Sequence, residues 1–253
     1  LKGKFETSKK VIVEEFLTGE EASYFVITDG ENYIPIGTAQ DHKKIGENDT
    51  GLNTGGMGAY SPSLLITDNV DFKIRTKIIE PTIKAMKKLG YPYKGILYAG
   101  LMISKSEPKL IEYNIRFGDP ECQVLMMRLK SDLLEIIQST LNNNLNKIKI
   151  NWIKDSCITV VAASKGYPEK FEKLKEIKKI VSFEENSNQQ LFHYSTIKDE
   201  DGKIYSNGGR VLSSTVLNTS LKEARKRALK ILDEIEWENK YYRRDIGFRI
   251  IDK

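Results

Sequence analysis

Cysteine and histidine are nearly absent from this chain of 253 residues, with two of each. Cys122 and Cys157 lie far apart, with no metal or redox spacing around them, and are expected as reduced thiols in a cytosolic protein. His42 and His193 are too few for a multi-histidine metal site. No apolar run approaches the roughly 20 residues of a membrane helix. The opening Leu1-Lys2-Gly3-Lys4 carries no apolar leader and no initiator Met, which reads as a sequence that begins inside a longer protein. No Gly-Lys-Ser/Thr follows the glycines, which excludes a Walker loop, and no Gly-x-Gly-x-x-Gly follows a strand. No Ser-His-Asp or Cys-His arrangement is evident.

What is present is ordinary globular material. Hydrophobic residues make up 40% and charged residues 30% of the chain, which disfavours disorder. The net charge is +5 and the pI about 8.9. The lysines are scattered among 35 acidic residues rather than gathered in a stripe, so solvated faces are expected and nucleic acid is not.

Periodicity sets out the elements. The β-branched run from Val11 to Leu17, the segment Ala22–Thr28 and the segment Tyr33–Ile36 predict an antiparallel meander. Residues 37 to 62 predict a long functional loop with glycines at 55, 56 and 58, whose backbone N–H groups could approach an anion. A helix is expected over 68–89 through Phe72, Ile79, Ile83 and Met86, disturbed at Pro81 and stopped by Gly90. Gly95–Ser104 and Lys109–Arg116 predict a hairpin. Asp119-Pro120-Glu121 predicts a helix start with Asp119 as cap, and a second helix follows from Asp132 to Leu141 with Ser131 as cap. Beyond the polar Asn142-Asn143-Asn144, strands are expected over 157–163, 191–198 and 209–216. Ser220-Leu221-Lys222-Glu223 predicts a capping box opening a helix to Ile235. The boundary is placed between residues 147 and 148, with a self-contained small sheet after it, and the mixture of hairpins and helices predicts an α+β fold.

Two constellations could carry chemistry. Glu112 and Asn114 share one face of a strand, Ile111, Tyr113 and Ile115 facing a core on the other, and a carboxylate beside an amide oxygen suits Mg²⁺. By the same period Arg116 joins their face, where a guanidinium suits phosphate or carboxylate. The acid-rich strand end with Glu14, Glu15, Leu17 and Glu21 is a weaker signal.

In combination these pieces resemble the ATP-grasp superfamily and, within it, the phosphoribosylamine–glycine ligases. Arg116-Phe117-Gly118-Asp119-Pro120-Glu121-Cys122-Gln123 is similar to that family's signature. Gln40-Asp41-His42-Lys43 with the run Asn53 to Pro62 is similar to its substrate loop, and Tyr98–Met102 and Asn207–Leu212 are further family-like blocks. The resemblance implies the distal half of an ATP-grasp domain, residues 1–147, followed by a small α/β C-terminal domain, residues 148–253. It implies joining of glycine to phosphoribosylamine with ATP, through a glycyl phosphate, in purine biosynthesis in the cytoplasm. It implies Glu112 and Asn114 as ligands of Mg²⁺ or Mn²⁺, Glu14, Glu15 and Leu17 at adenine, and Glu21 at ribose. Asp41, Asn53, Thr54, Gly55, Gly56 and Gly58 would face the amino-sugar phosphate and glycine. Arg116 and Asp119 would serve catalysis, Arg116 by stabilising the transferring phosphoryl group. Family members carry, before the region matched here, a nucleotide-like domain and a phosphate-covering lobe, expected on a longer or separate chain. The rival readings are another ATP-grasp carboxylate–amine ligase and a non-catalytic remnant that binds nucleotide or a partner.

Overall fold

A computed structural model describes residues 12–184 and 187–252. Residues 12–18 form no strand, and Ile12, Val13 and Phe16 are exposed, so the expected first strand is not formed there; Val11 lies outside the described residues. β-branched content favours a strand only where a partner ladder and a packed face receive it. The meander therefore reduces to strands β1 (Glu20–Thr28) and β2 (Tyr33–Asp41), paired antiparallel.

The segment after residue 37 is mostly built structure rather than loop. Gly37 to Asp41 complete β2, then β3 (Lys44–Gly46) and β4 (Thr50–Asn53) form a small hairpin, and β5 (Gly58–Ser61) is fully buried. Helix α1 (Asp68–Ile74) is capped by Thr67, whose hydroxyl accepts from the Val70 amide. A π turn (Arg75–Ile79) leads into α2 (Glu80–Lys88). The π turn stands just ahead of Pro81, which has no N–H to donate and crowds the preceding carbonyls. The added residue also rotates the buried stripe. Val70, Ile74, Ile78, Ile79 and Ile83 are buried, whereas Phe72, expected inside, is exposed. Gly90, at φ +85°, ends the helix in a Schellman arrangement, with Tyr91 N–H on Met86 O at 3.0 Å and Gly90 N–H on Lys87 O at 3.0 Å.

Strands β6 (Gly95–Ser104) and β7 (Glu107–Asn114) form the expected hairpin, with a bulge opposite Gly100 and Leu101. As β7 is an edge strand, Ile111 and Ile115 are exposed rather than buried, and of the expected inward set Tyr113 alone packs on the core. Helix α3 (Glu121–Arg128) follows without a side-chain cap, because the Asp119 carboxylate is engaged elsewhere. Helix α4 (Leu133–Leu141) is capped by Asp132, which accepts from the Leu134 and Glu135 amides, while Ser131 instead accepts from Asn151 N–H.

The remaining elements are β8 (Ser156–Ser164), β9 (Glu176–Lys178), β10 (Gln189–His193), β11 (Thr196–Lys198), β12 (Ile204–Ser206), β13 (Arg210–Asn218), helix α5 (Leu221–Glu234), β14 (Glu236–Trp237), β15 (Lys240–Tyr241) and helix α6 (Phe248–Ile251). The run 191–198, expected as one strand, divides between β10 and β11 in two different sheets. Ser220 caps α5 by accepting from Glu223 N–H, but the return bond of the box is replaced by Ser220 N–H donating to Asn218 Oδ1 at 2.9 Å.

One sheet runs β10-β13-β8-β5-β2-β1-β6-β7, with β15 also on β8; a second runs β11-β12-β9-β14. This second sheet is drawn wholly from residues after 148, while β8 of the same segment is hydrogen-bonded to β5 of the first segment. Both faces of the large sheet are covered. The helical run 68–88 packs on Tyr24, Val26 and Leu101, α3 and α4 on Phe25, Ile27 and Tyr98, and α5 on Val160, Ala162 and Val211. Both cysteines are unpaired, and burial pushes the Cys157 thiol up.

Candidate functional site

The exposed arm 12–18 runs beside the β6–β7 edge. Glu14, Glu15, Leu17 and Glu21, the residues expected at the nucleoside, line one cleft of about 540 Å³ with Phe16, Met102 and Leu110. Lys109 Nζ anchors the arm at 2.8 Å from Glu15 Oε1. Because residues 12–18 lie in no helix or strand, their backbone groups are not committed to a ladder. Apolar walls with a carboxylate rim suit a planar heterocycle carrying hydroxyls.

Next to this cleft, and sharing Glu21 and Met102 with it, is a polar cavity of about 250 Å³ lined by Glu20, Asp41, Lys43, Asn53 and Arg249. Glu112 and Asn114 stand on one face of β7, with Asn114 Nδ2 donating to Glu112 Oε1 at 3.1 Å. Lys43 joins the two regions. It pairs with Glu21 at 2.7 Å. Burial would lower its pKa, but Glu21, Asp41 and Glu112 outweigh burial and hold it above the ordinary lysine value.

Asp41 ends β2 and is the most constrained acid of the site. Burial, and then the facing Glu121 carboxylate, push its pKa well above the usual carboxylate range. Its Oδ1 is buried and has no hydrogen-bond partner. An unpaired acceptor in such a place carries a desolvation penalty that a donor on a ligand would relieve. Glu121 is itself buried, accepting from Ser23 Oγ at 2.9 Å and Tyr98 OH at 3.0 Å.

The glycine turn packs against Asp41. A Cβ on Gly56, at φ +109°, would stand 2.4 Å from Pro120 Cδ and 2.7 Å from Asp41 Oδ1. Its amides are not free for an anion as expected. Gly55 N–H donates to Tyr167 OH and Gly56 N–H to Thr54 Oγ1, each at 3.0 Å. Thr54 is tied to Lys43 O, and Gly58 is a strand residue paired with Val160. What the turn offers the cavity is Asn53 together with the shielded Asp41.

Arg210 clasps these parts. Its guanidinium donates to Gly55 O at 2.7 Å and Gly56 O at 3.3 Å, reaches Asp119 Oδ2 at 2.8 Å, and lies 5.3 Å from the Tyr194 ring centroid. Asp119 is thereby a structural partner of Arg210. Arg116 is exposed, past the end of β7, and donates to Phe117 O at 2.7 Å, so the strand period no longer places it beside Glu112. Lys43, Glu121 and Arg210 were given no role by sequence reasoning, although each lies in a family-like block quoted above.

Among the described residues no group of three or more His, Cys, Asp or Glu is disposed to hold a metal alone. Two hard oxygen donors at an open strand face fit a hard divalent cation that brings phosphate and water as its other ligands.

A sheet with an open edge, a cleft along that edge and a paired acid and amide beside it accord with the ATP-grasp class, which the family match establishes. Residues 1–122 match the phosphoribosylglycinamide synthetase ATP-grasp (A) domain, and residues 157–249 match the phosphoribosylglycinamide synthetase C domain. The chain belongs to the phosphoribosylglycinamide synthetase family. It is 50% identical to the phosphoribosylamine–glycine ligase of Agrobacterium fabrum, over 98% of this chain and 58% of that protein. It is 48% identical to the chloroplastic enzyme of the same name from Arabidopsis thaliana, over 96% of this chain and 46% of that one. The crystal structure of the Thermotoga maritima phosphoribosylamine–glycine ligase superposes with a TM-score of 0.81 at 33% identity, over 92% of this chain and 57% of that one. Campylobacter jejuni biotin carboxylase, at 18% identity and a TM-score of 0.63, shares the fold. The chain thus spans about half the length of these relatives, from 46% to 58%.

Proposed function

We propose that this chain is the nucleotide- and metal-binding part of an ATP-dependent ligase that joins glycine to 5-phosphoribosylamine, giving glycinamide ribonucleotide, ADP and phosphate. The observation that carries the reading is the adjacency of the nucleoside-sized cleft, the Glu112–Asn114 pair and the half-buried Asp41, whose Oδ1 has no partner. Residues 1–147 and 148–253 are the two sequence modules of this reading, and the compartment is the cytoplasm.

In this reading Glu14, Glu15 and Leu17 meet adenine and Glu21 meets ribose. Glu112 and Asn114 hold Mg²⁺ or Mn²⁺, which when bound neutralises phosphate charge. The glycine carboxylate takes the γ-phosphoryl group, and ADP leaves. The amine of phosphoribosylamine then attacks the acyl carbon, phosphate leaves, and the amine loses a proton. Asp41 Oδ1 is placed to accept from an ammonium or amine and to orient it. Lys43 and Arg116 supply positive charge for carboxylate and phosphoryl oxygens. Such chemistry needs positioning and charge neutralisation rather than a nucleophilic side chain. The donors that cover the phosphates from the opposite side are assigned to the part of the relatives that this chain does not span.

The test is ADP release dependent on both glycine and phosphoribosylamine. It is measured for residues 1–253 alone and together with the unspanned part of a relative as a second polypeptide. Activity is expected in the mixture and little from the chain alone, because phosphates left in water gain weak electrostatic stabilisation. Glu112→Gln should lower that activity by roughly two orders of magnitude or more. Its folding stability should stay within about 0.5 kcal/mol, the change being at an exposed strand face. Release driven by another carboxylate or amine would point to a different ATP-grasp ligase, and nucleotide binding without ligation to a remnant.

A further inference from the structure

The second segment holds a cavity of about 420 Å³ apart from the site above, between the end of β8, the segment 165–175 and the β14–β15 turn. Its lining is aromatic and cationic. Trp237 and Phe171 supply ring surface, and Lys165, Lys170 and Lys175 supply charge. Lys175 is neutralised by Glu172 at 2.9 Å and Glu238 at 3.9 Å. Lys165 and Lys170 meet no carboxylate at ion-pair distance among the described residues. Trp237 is 6% exposed, and its indole N–H is buried without an acceptor. A buried donor left unpaired is penalised, which marks the packing around Trp237 as incomplete.

The same segment reaches the glycine turn. Tyr167 stacks edge-to-face with Phe171 at 6.2 Å between centroids. Its hydroxyl accepts the Gly55 N–H at 3.0 Å. Its ring lies so close to Gly209 that a Cβ there would stand 2.2 Å from it, which fixes the ring's place. Anything that displaces Phe171 therefore loads the contact to Gly55.

We propose that this cavity binds a small planar anion, an aromatic ring bearing a phosphate or carboxylate, and that its occupancy is felt at Gly55 through Phe171 and Tyr167. The ring lies against Phe171 and Trp237, and the anionic group meets Lys165 and Lys170. Binding stands on the cavity alone, while its bearing on catalysis rests on the ligase reading.

Phenyl phosphate is the probe, with inorganic phosphate and benzoate as comparisons, titrated into the 253-residue chain without nucleotide or ligase substrates. Tryptophan fluorescence should change saturably and lose the change in Trp237→Phe, leaving Trp152 silent. The double variant Lys165→Ala/Lys170→Ala, confined to exposed side chains, should weaken phenyl phosphate by about tenfold or more. Inorganic phosphate should bind more weakly than phenyl phosphate. The Gly55 amide resonance should shift on saturation, and should not shift in Tyr167→Phe at unchanged probe affinity. Absence of saturable binding, or equal affinity in the lysine double variant, overturns the site. A Gly55 resonance unmoved at saturation overturns the coupling. None of these readouts depends on ligase activity, so failure here and failure of the ligase reading are separable.

Discussion

His42 shows how one buried side chain sets a pH limit on the fold. Its Nε2 accepts the Gly247 N–H at 3.0 Å, so the ring proton sits on Nδ1, which is buried without a partner. Burial first, and then the nearby Arg243 and Arg249, lower its pKa from 6.5 to about 4, against the opposing pull of Asp49 and Asp245. Arg243, fully buried between those two aspartates, ties the last strand-to-helix segment to Lys44 O and Asp49. Since the folded state resists protonation of His42 and the unfolded state does not, this contribution to stability is complete above pH 6.5. It is lost progressively as the pH falls towards about 4. The shift corresponds to an effect on the order of 3 kcal/mol at the acid end. Urea midpoints measured at pH 7.5, 5.5 and 4.5 should fall across that window. In His42→Asn the fall should be visibly smaller, and an equal fall in both proteins would place the acid sensitivity elsewhere.

At the scale of elements, the clasp from the first residue of β13 decides whether the glycine turn and the Asp119-Pro120 segment stay in register. Arg210 is largely shielded, and it satisfies two turn carbonyls and a carboxylate at once. Arg210→Met should destabilise the chain by about 2 kcal/mol, the range for losing charged hydrogen bonds at a partly exposed pair. Amide exchange should quicken at Gly55 and Gly56 while α5 stays protected, and uniform loss of protection would mean that the clasp is only one part of a global unfolding unit. Arg210 shows where sequence reasoning stopped: it stands in a family-like block, but its partners are 91 and 155 residues away, and no local period encodes that. What was legible was local. The β1–β2 and β6–β7 pairs follow from alternation and turn residues, and α5 from Ser220 and its apolar stripe. The Glu112–Asn114 pair follows from the period of two, whereas Arg116 lies past the end of β7, beyond the reach of that period. The misses are tertiary. The arm 12–17 has strand composition without a ladder. Phe72 is turned outward by the π turn beside Pro81. Within the long glycine segment, Gly58 to Ser61 are recruited into a strand by β8, which lies about a hundred residues downstream.

At the scale of the whole molecule, the sequence modules meet in one sheet, and this bears on how the chain unfolds. β8 lies between β13 and β5, so removing the first segment would strip β8 of its ladder along Cys157 to Val160. Both cores next to that seam are mixed. Met57 and Tyr60 pack with Ile158 and Leu232, and Phe25 and Tyr98 share a cluster with Cys157 and Leu217. Helix α3 adds a third tie, lying across β2, β5, β8 and β13. Burying a Tyr or Met side chain contributes about 1.5–3 kcal/mol, so the losses at the seam compare with the whole stability of a small domain. A single calorimetric transition is therefore expected for the chain, with van't Hoff and calorimetric enthalpies equal within error. Residues 148–253 expressed alone should be loosely packed and dye-binding, because an open β8 edge beside an uncovered Ile158–Val160 face invites association. Two resolved transitions, or a cooperative and monomeric 148–253, would show that the seam is an interface between independent units. Tyr60→Ala then separates the two cases, since it should lower the one shared transition as a whole but shift only the first-segment transition if the units are independent.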